Sequence, residues 1–317
     1  MGAALVADIG GSKSRFALAS SAGSPEHIRV IENDSVPDLE SAVARYLTET
    51  AARPKTAILA IAGPIQGEEI ALTNRDWRFR RAEFARRFGF SQLRIVNDFE
   101  AVAWALPYLA AAHVRALGPC AAPGKAVKVV LGPGTGLGVA ALIPTDGRWN
   151  VVASEGGHVC FGACEQDEVE LFARLREQSG PVSAETVLSG PGLVRLARAL
   201  DPTSGYAHPE AIIAGAHRGE PKACRVTGMF VRLLGRFAGD LALTFKALGG
   251  VYVAGGVGFA LGALLDAPAF RAAFEAHAPY QSLLQSIATL LITCEQPGLL
   301  GCAVLAQMDE ATAPIPS

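Results

Sequence analysis

Short apolar runs closed by glycine or a polar pair recur through the first half of the chain. Ala4 to Ile9 is apolar except for Asp8 and leads into Gly10-Gly11-Ser12; Arg15 to Ala19 is a second run. This pattern predicts strand, glycine turn, strand. Thr56 to Ala62 reads as a buried strand closed by Gly63-Pro64, and Ile70 to Thr73 as a short strand. Leu93 to Val96 predicts a strand ending in Asn97-Asp98, with a helix from Phe99 to Leu109 and Asp98 as its N-cap. Val127 to Leu131 is a strand entering GPGTGLG, followed by a partner strand, Val139 to Ile143.

Helical spacing dominates the second half. Val169 to Leu175 and Leu193 to Leu200 both show it. The longest helix is expected from about Lys222 to Leu248. Phe230, Leu233, Leu234, Phe237, Leu241 and Phe245 mark one face, and Gly249-Gly250 is expected to end it. A strand from Gly250 to Ala254, a helix from about Phe259, a strand from Thr289 to Thr293 and a helix from Pro297 to Gln307 complete the pattern. Strands and helices mix along the whole length, which predicts an α/β fold. A chain of 317 residues has room for two domains. The Ala-rich stretch around residue 110 is the expected boundary.

Composition narrows the function classes. Half the residues are hydrophobic and 18% are charged, which excludes wholesale disorder. Net charge is −2, so no electrostatic field favours a nucleic-acid partner. The cysteines are scattered, as expected for a reduced compartment. The N-terminus lacks a basic region and meets Asp8 early, making a poor signal peptide. Ala247 to Leu265 is uncharged and long enough to span a bilayer, but its many glycines favour strand, turn and helix. The expectation is a cytoplasmic, soluble protein without a membrane partner.

The segments VADIGGSKSRFALA and VLGPGTGLGVAAL echo each other about 125 residues apart. Each is strand, glycine-rich turn, strand, with a hydroxyl in the turn, Ser12 or Thr135. Such glycines serve either a tight hairpin or a cradle of N–H groups for phosphate. The loops match neither GxGxxG nor GxxxxGK[ST].

Asp8 ends an apolar strand, either as a turn cap or as a carboxylate for Mg²⁺ beside phosphates. Asp98 is either an N-cap or a base that takes a proton from a substrate hydroxyl. Glu155 and His158 flank Gly156-Gly157 and offer the acceptor and donor that sugar hydroxyls need. Glu185 follows Ser183 at a helix start and is a further candidate. His158, Cys160 and Cys164 lack a fourth ligand at zinc spacing, so no structural zinc is expected.

Taken in order, these motifs resemble the proteobacterial-type glucokinases, in the superfamily of hexokinase and actin. They are Asp8-Ile9-Gly10-Gly11-Ser12 with Arg15, Ala62-Gly63-Pro64, Leu72-Thr73-Asn74 with Trp77, and Ile95-Val96-Asn97-Asp98-Phe99. Gly134-Thr135-Gly136-Leu137-Gly138, Glu155-Gly156-Gly157-His158, Ser183-Ala184-Glu185 and Leu188-Ser189-Gly190-Pro191-Gly192 follow. Gly235-Arg236-Phe237, Ala254-Gly255-Gly256 and Pro297-Gly298-Leu299-Leu300-Gly301 complete the series. Ser12 stands where threonine is usual, and Cys160 where aspartate is frequent.

The resemblance implies an actin-like ATPase (ribonuclease H-like) fold. A small α/β domain, 1–109, would be rejoined by the C-terminal helix, about 297–317, and a cleft would separate it from a large domain, 110–296. It implies transfer of the ATP γ-phosphate to O6 of glucose, with Asp98 as base. Asn97, Asp98, Glu155, His158, Glu185 and Asn74 would bind the sugar. Gly10, Gly11, Ser12, Gly134, Thr135 and Gly136 would hold phosphates, and Ala254, Gly255 and Gly256 the adenosine. Asp8 would hold Mg²⁺ through water. A homodimer is expected by the same analogy. Another hexose (glucosamine, mannose or fructose) or a non-catalytic sugar sensor are the alternatives.

Overall fold

The computed structural model describes every residue except 1, 2, 21, 22, 64, 74, 120, 121, 267 and 313–317, and gives no side chains for 309–312. The strands are β1 (Ala4–Ile9), β2 (Lys13–Ala19), β3 (Pro25–Glu32), β4 (Thr56–Ile61), β5 (Glu69–Ala71), β6 (Arg78–Arg80) and β7 (Gln92–Asn97). They continue with β8 (Val114–Ala116), β9 (Lys128–Pro133), β10 (Leu137–Thr145), β11 (Arg148–Ser154), β12 (Val251–Val253) and β13 (Thr289–Ile292). The helices are α1 (Leu39–Thr50), α2 (Arg81–Phe88), α3 (Asp98–Ala105), α4 (Val169–Ser179), α5 (Ala184–Val187) and α6 (Gly190–Leu200). After these come α7 (Pro209–His217), α8 (Pro221–Phe245), α9 (Gly255–Leu261), α10 (Pro268–Glu275), α11 (Gln281–Gln285) and α12 (Pro297–Thr312).

The chain divides into two compact units. The first runs to Leu109 and resumes at Cys294; the second is Ala110–Thr293. In the first, the sheet order is β3-β2-β1-β4-β7. β1, β2 and β3 are antiparallel neighbours, while β1, β4 and β7 run parallel. Along β1, Leu5, Ala7 and Ile9 join a core with Phe16 and with Leu39, Val43 and Tyr46 of α1. Period-two alternation sends Val6 and Asp8 to the opposite face. On that face α12 and α3 approach closely at a glycine. A Cβ on Gly301 would stand 1.7 Å from the Ala101 carbonyl oxygen.

The second unit repeats this plan. Its sheet order is β11-β10-β9-β12-β13, with β8 added at the far edge. Again three antiparallel strands lead into a parallel set. Along α8, Phe230, Leu233, Leu234, Phe237 and Leu241 are buried, each worth about 1.5–3 kcal/mol of hydrophobic transfer. A Cβ on Gly235 would lie 2.2 Å from the Phe270 carbonyl oxygen, so glycine sets the contact of α8 with α10.

Several boundaries differ from the sequence expectation. Asn97, not Asp98, caps α3, and its Oδ1 accepts from the N–H groups of Phe99 and Glu100. The helix stops at Ala105, and Leu106–Tyr108 tightens into a 3₁₀ turn around Pro107. α8 ends at Lys246 in the left-handed conformation rather than at Gly249-Gly250. The helix expected from Phe259 begins at Gly255. The uncharged stretch 247–265 divides into β12, α9 and a 3₁₀ turn. Among the described residues no single helix is long and apolar enough to cross a membrane.

Gly301→Ala is expected to destabilise the protein by about 2 kcal/mol or more, although alanine is favoured over glycine inside a helix by ~1 kcal/mol. Urea unfolding followed by circular dichroism checks it. Parental stability would mean that α12 can move off α3 freely.

Candidate active site

In the first unit the carboxyl ends of three parallel strands lie side by side. Ile9 of β1 pairs with Ile61 of β4, and Ile61 with Asn97 of β7. Such strand ends are where open α/β sheets gather ligand groups. At the spacing of neighbouring strands, Asp8 and the Asn97-Asp98 corner are separated by roughly 10 Å. Asp98 opens α3, and its Oδ1 accepts from the following N–H, that of Phe99, at 2.9 Å. The Asn97 amide donates across to the Gly63 carbonyl at 3.5 Å.

Asp8 has 22% of its side chain exposed and faces Arg15 at 3.7 Å, too far for a hydrogen bond. The start of α12 closes over it, since a Cβ on Gly298 would meet the Asp8 carboxyl carbon at 3.1 Å. Burial pushes this carboxyl above the ordinary range, and Arg15 pulls it partly back. Beside it Gly10, Gly11 and Ser12 form the β1–β2 turn, closed by the Gly10 N–H on the Lys13 carbonyl.

The matching turn of the second unit is Gly134-Thr135-Gly136, between β9 and β10. The Gly134 N–H donates to the Gly136 carbonyl at 2.8 Å. The Gly190 N–H, at the start of α6, donates to the Gly134 carbonyl at 2.7 Å. Glu185 closes the turn's other side by accepting from the Leu137 N–H at 2.9 Å. A side chain on Gly136 would collide with that carboxylate.

The same Glu185 faces His158, which Glu155, from His158's own loop, also approaches. His158 Nε2 stands 4.0 Å from a carboxylate oxygen of Glu155 and 4.0 Å from one of Glu185. The backbone makes this meeting possible. The Phe161 N–H donates to the Val182 carbonyl, and the Ala184 N–H to the Val159 carbonyl. These bonds tie the segment after His158 to the segment before Glu185. Gly157 packs so close that a Cβ would stand 2.0 Å from the Leu137 carbonyl oxygen. The loop beyond is anchored by Glu168, which is 1% exposed. Glu168 accepts from Arg236 and from the Cys164 N–H, while Arg236 also donates to the Gly162 carbonyl.

Next to this turn, α6, α7 and α9 line an open cavity of about 820 Å³. Gly134, Thr135 and Gly256 line one end; Val194, Ile213, Val257 and Ala260 give apolar walls; and Arg195, Arg198, Glu210 and His217 supply polar groups. The volume suits a small organic ligand. Ala254 and Gly255 join β12 to α9, with Gly255 at φ +81° against the Pro133 carbonyl.

The sequence candidates therefore fall into two groups. Asp8, Gly10, Gly11, Ser12, Asn97 and Asp98 belong to the first unit, and the others described belong to the second. Asn74 lies outside the described residues. Sequence reasoning missed the cavity wall, including Val194, Arg195, Ile213 and His217. The 3.6-residue pattern of α6 was visible, but it gives no sign of which ligand faces it. Among the described residues no group of three or more His, Cys, Asp or Glu side chains is placed to hold a metal ion.

Against known families, the glucokinase model matches residues 5–309. The chain belongs to the glucokinase family. It is 41% identical over 304 residues to a glucokinase of Tolumonas auensis, covering 94% of each chain. It is also 41% identical over 313 residues to the bifunctional protein glk of Burkholderia lata. There the match covers 96% of this chain and 49% of the relative, so the chain spans about half the length of such bifunctional relatives. The crystal structure of glucokinase from an Antarctic psychrotroph superposes with a TM-score of 0.85 at 34% identity, covering 96% of this chain and 98% of that one. The architecture of this glucokinase-family chain is the two-domain actin-like ATPase fold.

The raised Asp8 pKa fixes the sign of a pH effect. Ionised Asp8 costs stability; the cost is absent below the unfolded value near ~3.9, grows as pH rises from there, and is complete above the folded value. Asp8→Asn should raise the melting temperature at pH 7, with the gain fading below about pH 4. Calorimetric melts of both proteins across pH check this. A pH-independent difference would place the carboxylate in solvent.

Proposed function

We propose that this chain transfers the γ-phosphoryl group of ATP to the 6-hydroxyl of D-glucose. The observation that carries the reading is the convergence of Glu155 and Glu185 on His158, with Glu185 also holding the Leu137 N–H beside the Gly134–Gly136 turn. Neither carboxylate is within hydrogen-bond distance of the imidazole. The imidazole, Glu155 and the remaining acceptor capacity of Glu185 are thus available to a polyhydroxylated ligand. The shared Glu185 couples that ligand to a turn suited to phosphate.

In this reading Asn97 and Asp98 contribute sugar contacts from α3, and Asn74 is a further sugar ligand. Asp98 accepts the proton of the 6-hydroxyl. The hydroxyl oxygen bonds to the γ-phosphorus as the bond to the β,γ-bridging oxygen breaks, and ADP leaves. The step asks little basicity of this carboxylate, because phosphoryl transfer relies mainly on positioning and charge neutralisation. Gly10, Gly11, Ser12, Gly134, Thr135 and Gly136 cradle phosphates. The 820 Å³ cavity takes the adenosine, with Ala254, Gly255 and Gly256 at its end. Asp8 fits Mg²⁺ held through water, being a largely covered carboxylate with no hydrogen bond among the described residues. Bound there, the ion would supply positive charge against the phosphates. A cytoplasmic homodimer, with residues 1–109 and the last helix as the small domain, completes the proposal.

A coupled assay of ADP release with Mg-ATP and a panel of hexoses tests the substrate. Fast turnover with glucose, and little without sugar, is expected. Clear preference for another hexose would overturn the glucose assignment alone. Asp98→Asn should lower kcat by about 10²–10⁴, with glucose binding retained by calorimetry. Near-parental kcat would remove Asp98 as the base.

A further inference from the structure

We infer that Asn33, with Ser14 and Arg75, is a positioning device that turns the Gly11 and Ser12 N–H groups outward for the phosphates of the nucleotide. The inference rests on reading the β1–β2 turn as a phosphate cradle. Asn33 follows β3 and is wholly buried. Its Nδ2 donates to the Gly10 carbonyl at 2.8 Å and to the Gly11 carbonyl at 3.1 Å. Its Oδ1 accepts from the Ser14 hydroxyl at 2.7 Å, which fixes the amide's orientation. Its backbone N–H donates to the Ser12 carbonyl at 2.9 Å. From the other side Arg75 donates to the Gly11 carbonyl at 3.2 Å. The Arg75 guanidinium is held over Trp77, 4.8 Å from the ring centre, and pairs with Asp34.

A trans peptide points its C=O and N–H in opposite directions. With the Gly10 and Gly11 carbonyls drawn onto Asn33, the N–H groups of Gly11 and Ser12 point away from it. Neither donates to any partner among the described residues. Successive outward N–H groups make an anion-binding concavity. Donation to each carbonyl also polarises the peptide and strengthens its N–H as a donor. The second hairpin reaches the same state with a backbone group, since the Gly190 N–H holds the Gly134 carbonyl. A space-filling role would not call for a buried amide, whose burial is costly unless every bond is made.

The test titrates the full chain with Mg-AMPPNP by calorimetry and measures both KM values. Asn33→Leu should weaken Mg-AMPPNP binding and raise the KM for ATP by about tenfold or more, leaving the KM for glucose unchanged. Arg75→Met keeps Asn33 in place, so it decides the matter if Asn33→Leu does not fold. It should give a loss of about threefold that Arg75→Lys restores. Folded variants with parental nucleotide affinity would overturn the inference, as would equal changes in both KM values. If the parent phosphorylates glucose and the variants bind nucleotide normally, this inference alone falls. If the variants lose nucleotide affinity as expected but the parent phosphorylates no sugar, the proposed reaction falls instead.

Discussion

A turn that leaves its N–H groups facing outward must have its carbonyls held from behind. Both glycine hairpins obey that constraint, and much of their surroundings follows from it. In the first, the carbonyls need a buried donor, so β2 carries Ser14 on its inner face and β3 delivers Asn33 beneath the turn. In the second, the donor is the first N–H of α6. The helix must then come within hydrogen-bonding distance of the turn, and a small residue allows it. A Cβ on Gly190 would lie 3.2 Å from the Gly134 carbonyl oxygen, while Gly192 serves the neighbouring α5–α6 corner, where a Cβ would lie 2.1 Å from the Val187 carbonyl oxygen. Ser189 caps the helix at the same corner.

Sheet topology explains why each turn has chemistry beside it. β1 and β9 each lie between an antiparallel hairpin partner and a parallel neighbour. The turn then leaves the carboxyl end of the strand, next to the carboxyl ends of the parallel strands. In the first unit that brings Gly10–Ser12 to the side of the sheet where Asn97 caps α3. In the second it brings Gly134–Gly136 to the side where Ala254 leads into α9, its N–H donating to the Leu131 carbonyl. One repeated strand plan thus yields two turns with different companions.

The uniformly apolar strands and the glycine turns were legible in the sequence, because a strand buried on both faces cannot be polar. β1, β4, β9 and β10 were found within a few residues for that reason, while β7, with exposed Gln92 and half-buried Arg94, showed only through Leu93, Ile95 and Val96. β3 was not, because most of its residues are exposed. α1 was missed although Leu39, Ala42, Val43, Tyr46 and Leu47 follow helical spacing, with Asp38 as cap. That signal was present and unread. Glu155, His158 and Glu185 were legible as residue types, but their meeting depends on the pairing around Cys160 and Ser183, which has no local pattern. Asn33 was invisible for a similar reason. Alone it is a polar residue in a polar stretch, and only the fold shows what it holds.

The buried ionic groups separate structure from chemistry. Lys128 is held by the Gly124 and Gly249 carbonyls and by Tyr252, and burial alone pushes its pKa down. Arg271 donates to the carbonyls of Leu284, Gln285 and Ile287, and Glu168 is closed by arginine and backbone N–H groups. Each has partners enough to account for its place in the interior. Asp8 differs, with a distant arginine and no hydrogen bond among the described residues. A covered carboxylate that the fold leaves unsatisfied is a standing cost, and a leucine or serine would remove it. Its place at the end of β1, beside the Gly11 and Ser12 N–H groups that likewise donate to no partner among the described residues, makes both features intelligible together. The carboxylate suits a cation and the N–H groups suit an anion, and a metal-bound polyphosphate supplies both.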